Sequence, residues 1–132
     1  MRTLVLNGFI GESKNRSLVH YEPINLYQEN PTNVRITILD YQARMVTLHV
    51  GASIYWAMYD RSTGDLVLEK TGEDITREDN VFSFHLSADE TTGLTNTYYH
   101  EARLDNYTLF VGTVNFCSID LLLEPIQAPA PS

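Results

Sequence analysis

An all-β fold, a two-layer antiparallel sandwich, is predicted by three features of the sequence. Apolar residues recur with a period of two, in the stripes Val34, Ile36, Ile38, then Ile54, Trp56, Met58, then Phe82, Phe84, Leu86, and a strand turns each such stripe to one face. The runs follow one another at intervals of about ten residues with turn residues between them, the rhythm of a sandwich. Finally, two long β-rich runs, Thr92–Asp105 and Tyr107–Phe116, meet at the step Asp105-Asn106. Asp and Asn tolerate the positive φ that a tight hairpin turn needs.

The elements follow in order. Residues 1–30 hold a short apolar strand containing Leu4-Val5-Leu6, a polar loop Gly11–Ser17 and a second stretch Leu18–Tyr27. This is more than a seven-stranded sandwich needs, so they read as an N-terminal strand and arm. Residues 31–117 read as the sandwich. Within it Asn33–Asp40 and Ser53–Asp60 are strands, and Arg61-Ser62-Thr63-Gly64 turns into the strand Asp65–Lys70, which Thr71-Gly72 ends. Ser87 followed three residues later by Glu90 is a capping-box pattern for one helical turn. Residues 118–132 contain the apolar run Leu121-Leu122-Leu123 and then a Pro-rich tail, Ala128-Pro129-Ala130-Pro131-Ser132.

Composition narrows the function. A chain of 132 residues, 43% hydrophobic, buries enough surface to fold as one domain without metals or staples. Cys117 is the single cysteine; it excludes an intrachain disulfide, and its place at the end of an apolar strand predicts a buried structural role. The net charge of −8 argues against nucleic acid, whose phosphates demand a basic face. Between Asp60 and Glu90 nine acids stand against Arg61, Lys70 and Arg77. The region reads as a solvated edge or a docking surface for a basic partner, and it lacks the alternating Asp spacing of a calcium loop. No run approaches the ~20 apolar residues of a membrane span, and the N-terminus is too weakly charged and too broken for a signal peptide. The sequons at Asn15 and Asn106 therefore read as chance matches.

Catalytic, cofactor-binding and metal-ligating residues are not predicted. His20, His49 and His85 are scattered without zinc spacing. His100 and Glu101 are adjacent on a strand, which sends them to opposite faces. His100 shares its face with Tyr98, Ala102 and Leu104 and is predicted to be a hydrogen-bonded, partly buried histidine.

Trp56 in the third main strand and Tyr98 at the start of the penultimate one occupy the places where immunoglobulin-like domains put their core tryptophan and corner tyrosine; the bridging cysteines are missing. The order of Ala52–Met58, the charged hairpin Thr63–Lys70, the turn Leu86–Thr91, Thr97–Ala102 and Phe110–Val114 resembles the small immunoglobulin-like domains of tailed-bacteriophage structural proteins, including the N-terminal domains of baseplate upper proteins. The likeness runs over roughly residues 30–116. It implies a virion component without enzymatic activity, assembled in the host cytoplasm. Its partners would be other virion proteins of the capsid, portal, tail or baseplate, with capsid decoration and tail or baseplate attachment both open. It also implies a homo-oligomer, with a trimer as the first expectation.

Candidate interface residues are Tyr55, Tyr59 and Tyr99, outward by alternation, together with Leu4, Val5 and Leu6 and the terminal Leu121, Leu122 and Leu123. Exposed aromatics suit protein contacts and stacking on sugars. The opposing expectation is therefore a carbohydrate- or host-surface-binding module working through the tyrosines. An assembly role predicts that removing residues 1–10 or 118–132 leaves a folded domain.

Overall fold

The computed structural model describes residues 2–10, 20–95 and 97–117. The strands are β1 (Arg2–Ile10), β2 (His20–Tyr21), β3 (Ile24–Tyr27), β4 (Thr32–Asp40), β5 (Ile54–Asp60), β6 (Leu66–Lys70), β7 (Thr76–Glu78), β8 (Val81–Leu86), β9 (Thr97–Leu104) and β10 (Tyr107–Cys117). One helical turn, α1 (Ala88–Thr91), lies between β8 and β9. One sheet has the order β1-β4-β8-β7; in the other β2 and β3 border β10, followed by β9, β5 and β6. The chain is an all-β sandwich of two mixed sheets.

The predicted stripes fill the space between the sheets. Val34, Ile36, Ile38, Trp56, Met58 and Leu86 have no exposed surface, and Ile54, Phe82 and Phe84 are almost as deeply buried. Trp56 packs on Phe84 at a ring separation of 4.9 Å. The capping box forms as read, with Ser87 Oγ accepting from the Glu90 amide and Glu90 Oε1 accepting from the Ser87 amide. The hairpin β9–β10 turns at Asp105, whose φ is 53°.

Pairing departs from a purely antiparallel scheme. β1 runs parallel to β4 through nine residue pairs, Arg2↔Thr32 to Ile10↔Asp40, and β2 and β3 run parallel to β10. Periodicity reports the face a side chain takes, not the neighbour its strand chooses, so these pairings left no mark in the sequence. They alter the status of residues 1–30. Leu6, Ile24 and Leu26 belong to the same core as Trp56, so β1 and β3 are members of the sandwich rather than an arm outside it. Gly8 of β1 faces the Leu109 and Ile38 methyls, 3.0–3.1 Å from where a Cβ would stand. A bulge between Thr108 and Phe110 makes that contact by turning two successive residues, Leu109 and Phe110, into the core.

The burial expected of the Cys117 side chain, the run Leu121-Leu122-Leu123 and the Pro-rich tail lie outside the described residues.

Candidate interaction face

Two features position the outer face of the larger sheet: a polar knot that runs from the half-buried Glu22 into the core at His100 and fixes β9 and β10, and a layer of side chains outside that covers β5 and β9. The knot centres on Glu22, in the break between β2 and β3. Its amide donates to the Val111 carbonyl (2.8 Å), its carboxylate Oε2 accepts from the Asn7 amide of β1 (3.0 Å), and Oε1 lies 3.5 Å from His20 Nε2. Its carbonyl accepts from His100 Nε2 (2.6 Å), while His100 Nδ1 accepts from the Trp56 indole N–H (3.0 Å). Both ring nitrogens are thus engaged, which fixes the neutral Nε2–H tautomer. Burial pushes the His100 imidazole down to about 4, against a weaker upward pull from the Glu22 carbonyl.

Gly112 makes this possible. It pairs with His100 across the β9–β10 ladder, and a Cβ there would collide with the Glu22 carbonyl. A residue without a side chain lets the kinked backbone dip inward far enough for His100 to reach it.

On the outside, cross-strand pairs set Tyr55 beside Arg103, Ala57 beside Glu101 and Tyr59 beside Tyr99, with Glu69 of β6 next to Ala57. Tyr59 and Tyr99 stack at 5.0 Å with their rings 19° apart. The Tyr55 hydroxyl donates to Glu69 Oε2 at 2.7 Å, and that carboxylate raises the Tyr55 pKa. The Arg103 guanidinium lies 5.8 Å above the Tyr55 ring and donates to Glu101 Oε1 at 3.1 Å. Together these side chains form a closed layer. Ala57 points outward between Trp56 and Met58, yet it has 0% exposed surface, because its larger cross-strand neighbours cover it.

The three tyrosines named from sequence are therefore brought together on one face, each half-buried. The N-terminal candidates Leu4, Val5 and Leu6 lie on β1, in the other sheet. Leu6 is a core residue and Leu4 is half-buried, both spent on the inner face of β1; of that strand's apolar trio only Val5, at 62%, is exposed. Sequence reasoning missed Glu69, Glu101 and Arg103. The signal was present, since the residues two before and two after Glu101 are Tyr99 and Arg103 and share its face.

The acidic stretch is also more structured than its composition told. Lys70 Nζ donates to Glu90 Oε2 at 2.6 Å, tying α1 to β6. Burial works against ionisation of Glu90, but Lys70 and the Ser87 amide outweigh it and lower the pKa. Arg77 donates to the carbonyls of Leu48, His49, Val50 and Asp79 and so holds the loop between β4 and β5. Among the described residues no group of three or more His, Cys, Asp or Glu is placed to hold a metal ion, and no helix is long and apolar enough to cross a membrane.

No family model matches the sequence, and no curated protein matches it. Among solved structures it is similar to the N-terminal domain of phage TP901-1 ORF48, with 9% identity, a TM-score of 0.53, and coverage of 88% of this chain and 98% of that one. It is more distantly similar, at a TM-score of 0.35 and 15% identity, to an IG1 domain of the ZIG-8–RIG-5 heterodimer (82% of this chain, 90% of that one). The extracellular domain of the voltage-gated sodium channel beta4 subunit stands at the same TM-score and identity (80% and 97%). At these identities the likeness is one of fold.

Proposed function

We propose that the chain is a non-enzymatic structural subunit of a tailed-phage particle, a repeated accessory component that docks on other virion proteins. The observation that carries this reading is the shared fold with a phage domain over nearly the whole of both chains. The element order seen in the sequence, from the Trp56 strand to the closing hairpin, supports it independently. The state of the polar groups agrees: His100, the histidine deepest in the fold, has both nitrogens engaged, and the Tyr55, Glu69, Glu101 and Arg103 side chains are paired with one another. These residues build and brace a surface.

The test is quantitative mass spectrometry of particles purified through a density gradient from the producing host. The reading expects the chain to band with the particles in a fixed ratio to the major capsid protein. Recovery of the chain only in the particle-free fraction would contradict it.

A further inference from the structure

We infer that the outer face of β5, β6 and β9 is a docking site for an arginine-bearing protein surface, with the Tyr59–Tyr99 stack as the platform on which a partner guanidinium lies. The inference rests on the virion role proposed above and names the chemistry of the partner.

The face contains a worked example of the contact within itself. Arg103 lies over Tyr55 and pairs with Glu101, the combination of ring face and carboxylate that suits a planar guanidinium. The register repeats the arrangement one step along the sheet. Tyr59 and Tyr99 sit directly opposite each other, and Glu69 and Glu101 flank the outward Ala57 two residues away on β5. Among the described residues no guanidinium lies over Tyr59 or Tyr99. The second place therefore has its own rings and shares with the first the two carboxylates, which Tyr55 and Arg103 contact from one side, while neither ring of the stack is covered by a guanidinium. Leu66, 50% exposed and paired with Tyr59, adds an apolar border that would cover the methylene stem of a long basic side chain.

Charge decides between a partner and a second copy. The face itself carries Glu69 and Glu101 against Arg103, Asp60 and Asp65 adjoin it with Arg61 between them, and the whole chain is at −8. Two copies meeting here would bring like charge together, whereas a basic surface is attracted and steered to it. The layer is also pre-organised: Tyr55, Glu69, Glu101 and Arg103 already hold one another, so burying the face leaves little side-chain ordering to be done.

The test uses the full chain and two probes, hexa-arginine and hexa-lysine peptides, titrated into isotope-labelled protein while backbone amide resonances are followed. The inference expects shifts centred on Tyr59, Glu69, Tyr99 and Glu101, with the arginine peptide binding roughly fivefold or more tightly than the lysine peptide. Tyr99→Ala should weaken the arginine peptide about tenfold. Glu69→Gln, an exposed change that spares the fold, should weaken it about threefold. Three results would overturn it: equal affinity for both peptides with shifts spread over residues 73–79; perturbation of the same amides by self-association, seen on dilution without peptide; or no binding. Each of these leaves the presence of the chain in particles to be decided separately by the gradient measurement.

Discussion

Trp56 and His100 meet at the centre of the sandwich through one hydrogen bond, from the indole N–H to the imidazole Nδ1, with both residues fully buried. The bond joins β5 to β9 inside the same pair of strands whose outer faces carry the tyrosines. It also forces the remaining imidazole proton onto Nε2, which donates it in a hydrogen bond to the Glu22 carbonyl. The inner knot and the outer platform are thus two sides of one strand pair, and a disturbance of the first reaches the second.

Trp56→Ala should destabilise the chain by roughly 3–5 kcal/mol through the cavity it leaves. Trp56→Phe keeps most of the bulk but leaves His100 Nδ1 without a donor, which should cost about 1–3 kcal/mol. Urea unfolding followed by circular dichroism measures both. Native fluorescence of the wild-type chain should be blue-shifted, and a red-shifted, quencher-accessible Trp56 would contradict its placement.

Acid should weaken the fold before the carboxylates titrate. His100 is neutral when folded, with its pKa lowered from 6.5 to about 4, and takes up a proton near the ordinary histidine value once unfolded. Between those values the unfolded chain binds more protons, so stability is complete above pH 6.5 and falls as the pH drops toward 4, by on the order of 3 kcal/mol in total. Glu90 and Asp40, whose pKa values are lowered, add a further loss below that window. Denaturation midpoints across a pH series should show the decline, and His100→Gln should flatten its upper part.

Gly112→Ala should destabilise by about 2–3 kcal/mol, because its methyl collides with backbone, which cannot swing aside as a side-chain tip can. Gly51→Ala is the control: no atom lies within 4 Å of the added Cβ. Equal melting temperatures for the two variants would show that the Glu22 kink does not pack on Gly112.

Removal of residues 1–10 should unfold the domain or leave it aggregating, since it takes Leu6 from the core, uncovers the edge of β4 and strips the Glu22 carboxylate of its Asn7 partner. This reverses the expectation drawn from sequence that the N-terminal strand is dispensable for folding. A cooperative melt of the truncated chain near the wild-type temperature would contradict the reversal.

The sequence carried the sandwich through its periodicity. Val34, Ile36, Ile38, Trp56 and Phe84 could be assigned to the interior because a strand has only two faces and theirs were uniformly apolar, and Ser87 with Glu90 announced the helical turn. Three kinds of information were not local enough to read. The parallel partners of β1 and β10 depend on the path of the whole chain. The inward turn of both Leu109 and Phe110 depends on a bulge that breaks the alternation. Glu22 and Arg77 carry no local signal of their roles, since each is fixed by backbone groups that only the fold brings near. The platform was half legible: alternation placed the three tyrosines outward, but the burial of outward-facing Ala57 beneath them requires neighbours from β6 and β9.

The central claim, that this sandwich is a repeated structural part of a phage particle, is tested most directly by a cryo-electron microscopy reconstruction of particles made with and without the chain. The account predicts difference density of sandwich shape, repeated by the symmetry of the particle, with the Tyr55–Tyr59–Tyr99 face turned toward a neighbouring protein. Superimposable reconstructions, with no density lost when the chain is absent, would contradict it.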